Sequence, residues 1–283
     1  MTLATTRRRL DAELVRRQLV ASRAVAQEAI AGGLVTVDGA PAFKPATQVT
    51  AQQALVVAGP PRAYVSRGGD KLARALETFG VDPAGRHVMD AGVSTGGFTD
   101  CLLQRGAVRV LAYDVGYGQL HESLRTDPRV VLRERTNVRS LTADDVPPPW
   151  PDLLVADLSF ISLTLVLPTL RPLLAAEAEA VLLVKPQFEA ERGEVGTGGI
   201  VRDPVVWRRA LERVAGTASS LGWHVSGATA SPLRGSKGNV EFLLHLTTGG
   251  AAGAAAPMFE AAVAEGIERR RAAGTTITTG RSV

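Results

Sequence analysis

The sequence has little or nothing of several features that mark specialised protein classes. Its single cysteine, Cys101, excludes a disulfide framework and any zinc or iron–sulfur site built from several cysteines, and no metal site is predicted. No run of about 18 uncharged apolar residues could span a bilayer, because charged residues interrupt the longest apolar region, residues 161–184. No apolar segment of the signal-peptide kind follows the arginines at 7–9. We therefore expect a protein of the reducing cytoplasm.

Lysine is also scarce, with four lysines among the 32 basic residues. The net charge of +4 is distributed unevenly: residues 1–60 hold seven Lys/Arg against four Asp/Glu, whereas residues 61–248 hold 21 of each. A compact basic segment beside a neutral body is typical of a module that docks on a polyanion. The alternative is an ordinary solvated surface that is rich in arginine.

Apolar periodicity and composition divide the chain into four segments. Residues 1–60 alternate short helical and strand-like patterns and form a predicted small module. Residues 61–65, at the end of a Gly-Pro-Pro sequence, are a predicted linker. Residues 66–248 form the predicted larger domain. Residues 249–283 open with a Gly- and Ala-rich stretch and are predicted to be a disordered tail, in which Met258–Ala272 could form an isolated amphipathic helix.

Short apolar segments typical of strands recur in the larger domain between longer helical stretches. The seven predicted strands are His87–Ala91, Val108–Asp114, Val130–Leu132, Leu153–Asp157, Val181–Lys185, His224–Ala228 and Glu241–Leu246. Such alternation indicates a mostly parallel sheet with helices on both faces. The predicted fold class is therefore α/β, a doubly wound Rossmann-like sheet preceded by a small α+β module.

The small module combines two helices within residues 11–30 with a strand at 34–37, a hairpin turn at 38–39 and another short strand at 49–57. The pattern resembles the RNA-binding module shared by a small-subunit ribosomal protein, many pseudouridine synthases and tyrosyl-tRNA synthetases. The predicted RNA-phosphate contacts are Arg7, Arg9, Arg23 and Lys44. Asp11 is expected to serve the structure as a cap or in an ion pair. The alternative is a helical cap packed on the larger domain.

A glycine-rich loop follows the first predicted strand of the larger domain and leads into a helix. Ser94 occupies the middle glycine position of the dinucleotide fingerprint, and an acid precedes the first glycine, which favours a cofactor with an amino group and a sulfonium charge. Asp114 ends the next strand, where a carboxylate can accept both ribose hydroxyls. S-adenosylmethionine is therefore the predicted cofactor, and its predicted contacts are Asp90, Gly92, Ser94, Gly96, Gly97, Phe98, Asp114 and Val115. The alternative is a glycine-rich turn without a ligand.

Two lysines and two carboxylates are predicted at one edge of the sheet. Asp157 and Lys185 follow parallel strands, whose carboxyl ends line the ligand crevice of a doubly wound fold. Glu241 begins the last predicted strand and shares that edge if the strand runs antiparallel. Lys71 lies in a turn before the first strand and could reach the same crevice. The alternative is that Lys71 and Glu241 are surface residues and Lys185 merely ends a buried strand.

This group suits methyl transfer to a ribose hydroxyl, because a lysine amine can accept or polarise the proton as the oxygen attacks. A strand end holds a reacting group more rigidly than a turn does, so Lys185 is the predicted base, oriented by Asp157. Lys71 and Glu241 are predicted to position the ribose and its phosphate. The loop at Asp157 lacks the Asn/Asp-Pro-Pro-aromatic sequence of enzymes that methylate base amines.

The chain resembles the actinobacterial TlyA type of ribosomal RNA 2′-O-methyltransferase, a family often described as haemolysins, with a catalytic domain similar to that of FtsJ/RrmJ. The stretches that carry the resemblance span residues 7 to about 246. They are Arg9–Arg23, Tyr64–Leu72, Asp90–Thr99, Asp114–Leu120, Glu134–Arg139, Val155–Leu163, Leu183–Glu189 and Gly238–Phe242.

The resemblance implies a catalytic tetrad at Lys71, Asp157, Lys185 and Glu241. It also implies cytidine substrates in both small- and large-subunit rRNA, so that ribosomal subunits are the partners, and a link to susceptibility to capreomycin-type peptides. Residues 62–65 match the linker between the RNA-binding and catalytic domains of the family.

Three other functions remain open at this stage. A membrane-active haemolysin would need an apolar-faced helix, and only Met258–Ala272 comes near to one. A non-enzymatic RNA-binding assembly factor would not need the tetrad. A methyltransferase of the same chemistry could act on tRNA or on free rRNA instead.

Overall fold

The computed structural model describes residues 7–20, 22–58, 63–249 and 254–275, and the chain separates into an N-terminal unit, residues 1–62, and a C-terminal unit, residues 63–283. The predicted linker, residues 61–65, spans this division, and its first two residues lie outside the described ranges. So do residues 276–283 of the predicted tail.

The N-terminal unit packs two helices against two small antiparallel sheets. Its elements are β1 (Arg8–Arg9), α1 (Leu10–Arg16), α2 (Arg23–Ala31), β2 (Val35–Val37), β3 (Ala40–Pro41), β4 (Gln48–Val49) and β5 (Leu55–Val57). Strands β1 and β4 pair, and the second sheet has the order β3-β2-β5. Leu10, Leu14, Ile30 and Val35 are fully buried and form the centre of its core. The two predicted helices and the hairpin are confirmed.

The expected single strand at residues 49–57 is wrong, because the chain turns between β4 and β5. The Gln53 side chain accepts a hydrogen bond from the Thr50 N–H at 2.9 Å and so holds the turn closed. Arg17 donates to the carbonyls of Thr50 and Gln53 from the opposite side. Polar side chains that bond to nearby backbone offer the chain an alternative to the strand ladder.

The C-terminal unit contains a seven-stranded sheet flanked by helices. In chain order its elements are α3 (Arg67–Phe79), β6 (His87–Ala91), α4 (Gly97–Gln104), β7 (Arg109–Tyr113), α5 (Glu122–Arg125), β8 (Val130–Arg133), β9 (Leu153–Ala156), α6 (Leu167–Leu170), β10 (Glu179–Val184), α7 (Pro186–Glu189), α8 (Pro204–Ser220), β11 (His224–Ala230), β12 (Phe242–Thr247) and α9 (Ala255–Thr275). Short 3-10 turns connect several of them.

The sheet has the strand order β11-β12-β10-β9-β6-β7-β8. The strands from β10 to β8 are parallel, and β12 is antiparallel to both of its neighbours. The predicted α/β class is therefore confirmed. Successive residues of the central strands enter opposite cores: Leu182 packs under α8, and Leu183 packs under α3 and α4. Burial on both faces explains the unbroken apolar runs from which these strands were predicted.

Helix α9 corrects the expectation of a disordered tail for residues 255–275. It packs on β11 and α8, and Phe259 and Ala262 are buried in the core that the two elements share with it. The expectation of an isolated helix is wrong for the same reason: the apolar stripe of α9 covers the outer strand of the sheet. The surface that α9 covers is formed by other parts of the chain, so the apolar pattern of the helix sequence does not show where the helix packs. Among the described helices, none is long and apolar enough to cross a membrane.

Candidate active site

The strand register brings three of the four tetrad residues to one edge of the sheet. β10 and β12 are antiparallel, and the pair at their shared end joins Val184 to Phe242. Lys185 directly follows Val184, and Glu241 directly precedes Phe242. Asp157 directly follows β9, the parallel neighbour of β10. The last strand therefore runs antiparallel to β10, which is the condition under which Glu241 shares this edge.

Lys71 reaches Glu241 from within helix α3, so its expected place in a turn is wrong. Its Nζ lies 2.6 Å from Glu241 Oε2, and the two residues are only 8% and 3% exposed. A buried charge is retained at tolerable cost only when it is paired and hydrogen-bonded. The burial of both partners therefore means that each requires the other.

Lys185 pairs with Asp157. Its Nζ lies 2.6 Å from Asp157 Oδ1 and donates a further hydrogen bond of 3.0 Å to Ser159 Oγ. Lys185 is as buried as Lys71, whereas the side chain of Asp157 is more exposed. Ser159 was not among the predicted site residues. Its only sequence signal is its position two residues after the strand-end acid.

The tetrad thus consists of two charge-balanced pairs on adjacent strand ends. In each pair the carboxylate fixes the position of the lysine nitrogen, and a group that reacts with a proton must be held in position in this way. A second constraint acts on Glu241: a Cβ at Gly235 would lie 2.5 Å from Glu241 Oε1. Gly235 was also missed, because a glycine in a turn carries no sign of which side chain approaches it.

Close packing of α3 on α4 brings Lys71 to the site. A Cβ at Gly97 would meet Ser66 Oγ and would lie 2.7 Å from the Gly69 nitrogen, and a Cβ at Gly69 would overlap the Tyr64 ring. The close approach that Gly97 permits is therefore to the start of α3. Gly92 serves a similar purpose, since its φ is 92° and a Cβ there would lie 2.6 Å from the Asp157 carbonyl oxygen. These contacts explain why glycine stands at positions 92 and 97 without reference to a cofactor. The contact of Gly92 and Gly97 with a cofactor therefore stays a prediction.

The Asp114 carboxylate joins the two loops at the predicted cofactor position. Its Oδ2 accepts a hydrogen bond of 2.8 Å from the Ser94 N–H, and its Oδ1 accepts one of 2.7 Å from the Gly116 N–H. Each carboxylate oxygen can accept a second hydrogen bond. The oriented carboxylate therefore fits a ribose, which offers two hydroxyl donors. Val115, beside it, is largely exposed. Gly96 adopts a left-handed φ of 97° before Gly97 and Phe98 begin α4.

Asp90 lies beneath the glycine loop and is fully buried. Its Oδ2 accepts a hydrogen bond of 2.6 Å from Thr99 Oγ1, whereas its Oδ1 has no hydrogen-bond partner among the described residues. Burial raises the pKa of Asp90 to about 7. A buried, under-satisfied carboxyl fits a site that receives a cation, such as the amino and sulfonium groups of S-adenosylmethionine.

Exposed aromatic side chains, which the sequence reasoning missed, stand near this edge. Phe160 is 87% exposed with a φ of 65°, and its ring centroid lies 5.3 Å from that of Phe188. Lys185 Nζ lies 6.0 Å from the Phe188 ring centroid. The exposed Phe160 ring thus stands next to the half-buried Phe188, which lies near Lys185, and an exposed aromatic ring provides a surface on which an unstacked base can stack.

In the N-terminal unit, Asp11 organises two of the four predicted RNA contacts. Its buried carboxylate accepts two hydrogen bonds of 3.0 Å from Arg9 and one of 2.9 Å from Arg23. The hydrogen bond from Arg9 is the largest cause of a pKa of Asp11 well below the usual range. The expected ion-pair role of Asp11 is confirmed. Arg7 and Lys44 are exposed.

A second buried acid, Glu13, was missed. It lies 2.6 Å from Arg16 and 2.8 Å from Arg17, and the hydrogen bond from Arg16 is the largest cause that lowers the pKa of Glu13 to about 2. The arginines of this unit are therefore held in fixed directions by two buried carboxylates.

Comparison with known proteins agrees with both units. Residues 64–248 match the FtsJ-like methyltransferase family, and residues 8–55 match the S4 domain. The TlyA 16S/23S rRNA (cytidine-2′-O)-methyltransferase of Mycobacterium tuberculosis is 56% identical over 243 residues, which cover 86% of this chain and 90% of that protein. YqxC of Bacillus subtilis, named as an rRNA methyltransferase, is 46% identical over 86% of this chain and 87% of its own length.

Among solved structures, one named as a haemolysin from Streptococcus thermophilus has a TM-score of 0.79 and 36% identity, covering 96% of this chain and all of that one. The fold, the two matched domains and the extent of these similarities identify the C-terminal unit as an S-adenosylmethionine-dependent methyltransferase. The chain belongs to the TlyA family of methyltransferases, which joins an S4 domain to an FtsJ-like catalytic domain.

Proposed function

We propose that the protein methylates the 2′-hydroxyl of cytidines in the rRNA of both ribosomal subunits. The observation that carries the proposal is the two ion pairs with buried lysines, Lys71–Glu241 and Lys185–Asp157, at the edge of the sheet that also holds the glycine loop. The name of the M. tuberculosis relative, which specifies 16S and 23S rRNA, supports the choice of substrate.

The residues proposed to hold S-adenosylmethionine are Asp114, for the ribose hydroxyls, and the loop from Gly92 to Gly97, for the rest of the cofactor. When bound, the cofactor supplies an electrophilic methyl group. Removal of a carboxylate that accepts charge-assisted hydrogen bonds typically costs about 1.5–3 kcal/mol of binding free energy, so the cofactor affinity should depend strongly on Asp114.

Lys185 is the residue that accepts or polarises the 2′-hydroxyl proton. The hydroxyl oxygen forms its bond to the methyl carbon as the bond from that carbon to sulfur breaks. The hydroxyl proton passes to Lys185 Nζ in its neutral amine form, the ammonium having first released a proton to solvent, while Asp157 and Ser159 hold the nitrogen in place. Lys71, held by Glu241, contacts the phosphate next to the target ribose and so positions that ribose. Phe160 offers a stacking surface for the cytosine once it has left its helix.

The S4 unit docks the RNA. Arg7, Arg9, Arg23 and Lys44 are its proposed phosphate contacts, and Asp11 sets the directions of Arg9 and Arg23. Guanidinium groups held in advance lose less conformational entropy when they bind phosphate. Loss of the methyl groups would be expected to reduce susceptibility to capreomycin-type peptides.

The test is transfer of tritium from labelled S-adenosylmethionine to purified, unmodified small and large subunits, followed by mapping of 2′-O-methylated nucleotides. We expect label in the ribose of cytidines of both rRNAs. Label in a base or in tRNA would overturn the substrate, and label in one subunit alone would overturn the dual specificity. Release of dye from detergent-free liposomes by the same preparation, without any methyl transfer, would favour the haemolysin instead.

A further inference from the structure

The C-terminal half of helix α9 runs towards the active-site edge of the sheet. Phe259, near the start of α9, packs in the same region as Trp223 and Val225 at the start of β11. Glu265, further along, accepts hydrogen bonds from the Thr229 hydroxyl and the Ala230 N–H at the end of β11. The helix therefore runs parallel to β11, and because β11 is parallel to β10, both end at the edge where Lys185 stands.

This part of α9 packs on the strand that carries Glu241, on the face of the sheet opposite to the Glu241 side chain. A Cβ at Gly266 would lie 3.1 Å from Val240 and 3.2 Å from the Phe242 ring, and these are the two neighbours of Glu241 in the chain. The helix surface and the strand that carries Glu241 are thus in close contact, and the residues that follow Gly266 continue towards the same edge.

Basic side chains from three segments meet at the end of the helix. Arg234, from the loop that leads to Glu241, donates to the Arg269 carbonyl, and Arg270 donates to the Arg202 carbonyl. Asn239 ties the loop of Arg202 to the same place through hydrogen bonds with Val201 and Gly199. We call this surface the C-terminal basic edge, and its members are Arg202, Arg234, Lys237, Arg269, Arg270 and Arg271.

Acidic residues offset only part of this charge. Glu265 is engaged with the end of β11 and lies 4.0 Å from Arg269. Glu268 and Asp203 are exposed, and Asp203 is occupied as the N-terminal cap of α8. The basic edge therefore keeps an excess of positive charge within a unit that holds 24 Lys/Arg and 24 Asp/Glu in all, residues 63–283.

We propose that the C-terminal basic edge binds phosphates of the rRNA strand that flanks the target nucleotide. The proposal rests on the proposed function, since it assigns a second contact to the same substrate. Its position is what favours RNA: Arg234 adjoins Gly235, which packs against the Glu241 carboxylate, so the basic edge borders the tetrad where this loop crosses the strand ends and can meet phosphates that flank a ribose bound there. Arginine is suited to this contact because its fork of donors matches two phosphate oxygens.

A purely structural role is the competing explanation for these arginines. Cations near the C-terminus of a helix favour it electrostatically, since the carbonyl end of a helix carries partial negative charge, and Arg269, Arg270 and Arg271 lie in the turn before the last. That role predicts a loss of stability when the arginines are removed, whereas RNA binding predicts a change in substrate affinity that depends on salt.

The experiment compares the wild-type protein with Arg270→Gln/Arg271→Gln in the full chain. Methyl transfer to subunits is measured as kcat and KM, RNA affinity is measured between 50 and 200 mM salt on a naked rRNA fragment, and thermal unfolding is followed in parallel. We expect KM for subunits to rise about tenfold with kcat nearly unchanged, and the slope of log affinity against log salt to fall by roughly one to two units. Affinity for S-adenosylmethionine should not change.

Two single variants serve as matched controls. Glu268→Gln, on the same turn, raises the local charge and should lower KM and steepen the salt dependence. Arg129→Gln removes a cation next to the start of β8, at the opposite edge of the sheet, and should leave both quantities unchanged.

If the double variant has an unaltered KM and salt slope while the wild-type protein transfers methyl groups normally, the RNA-binding role of the basic edge is overturned and the proposed function is not. A lower melting temperature with unchanged affinity would assign the arginines to helix stability. An effect seen on assembled subunits but not on naked rRNA would overturn RNA as the occupant in favour of a ribosomal protein. Absence of transfer by the wild-type protein would instead overturn the proposed function.

Discussion

At the level of single residues, the tetrad shows what strand positions can predict. Asp157 and Lys185 could be assigned to one edge because both follow parallel strands, and Glu241 because a last strand in this fold can run antiparallel. Lys71 was harder to place, since its approach depends on how closely α3 packs on α4. Ser159 and Gly235 could not be predicted, because their roles consist of contacts with side chains from other segments.

The two lysines should separate in kinetic tests. Lys185→Ala should lose at least about 10²-fold in the single-turnover rate of methyl transfer, the usual scale for a general base, while cofactor and subunit affinities stay near those of the wild-type protein. Lys71→Ala should also lose activity, and its RNA affinity should fall as well. A near-normal rate for Lys185→Ala beside an inactive Lys71→Ala would reverse the assignment. Activity in both would mean that positioning alone carries the rate.

Asp90 should make the stability of the cofactor-free protein depend on pH. Its pKa is about 7 in the fold, against a reference value of 3.8, so the folded state binds more protons between these values. The stability contributed by protonated Asp90 is therefore present below about pH 4 and is lost as the pH rises through about 7.

Asp90→Asn should remove that dependence. Relative to the wild-type protein, its free energy of unfolding should be similar near pH 4 and should become higher towards pH 8, by up to about 4 kcal/mol. Urea unfolding at several pH values measures the difference. A constant difference across this range would show that the buried carboxyl is ionised throughout.

At the level of elements, the strands of the larger domain were predicted to within two residues at each end, because burial on both faces makes them continuous apolar runs. The errors fall where the partner surface is remote or the turn is held by side chains. Helix α9 looked isolated because β11, which covers its apolar stripe, is recognisable as a neighbour only in three dimensions. The turn between β4 and β5 depends on Gln53, whose role a strand pattern conceals.

The contact of α3 with α4 should be sensitive to a single methyl group. Gly97→Ala places a Cβ against Ser66 and 2.7 Å from the Gly69 nitrogen, and overpacking of this kind typically costs about 1–3 kcal/mol. Because α3 carries Lys71, methyl transfer should fall as well. Urea unfolding and the transfer assay measure the two effects.

Gly216→Ala is the matched control, since it lies within helix α8 and a Cβ there meets nothing within 4 Å. It should be neutral or stabilising by about 0.5–1 kcal/mol. Equal behaviour of the two variants would show that α3 can shift without cost.

At the level of the whole molecule, composition and charge already indicated two units of different character. The basic N-terminal segment matches the S4 domain and the neutral body matches the FtsJ-like domain. Residue counts could not show that the N-terminal arginines are held by Asp11 and Glu13, nor that the tail returns to the catalytic edge. The first fact depends on the burial of the two acids, and the second depends on contacts between residues that are far apart in sequence. Composition reveals neither.

The ion pair between Lys71 and Glu241 joins residues 170 positions apart, and this has a consequence for the order of synthesis. Domains tend to fold from the N-terminus as the chain emerges, at about 5–20 residues per second. The S4 unit ends at residue 62, so it is complete roughly ten to forty seconds before Glu241 has been translated. During that interval the nascent chain carries an RNA-binding unit without a complete tetrad. It could hold on to a ribosome, including the one that is making it, before it is able to modify any.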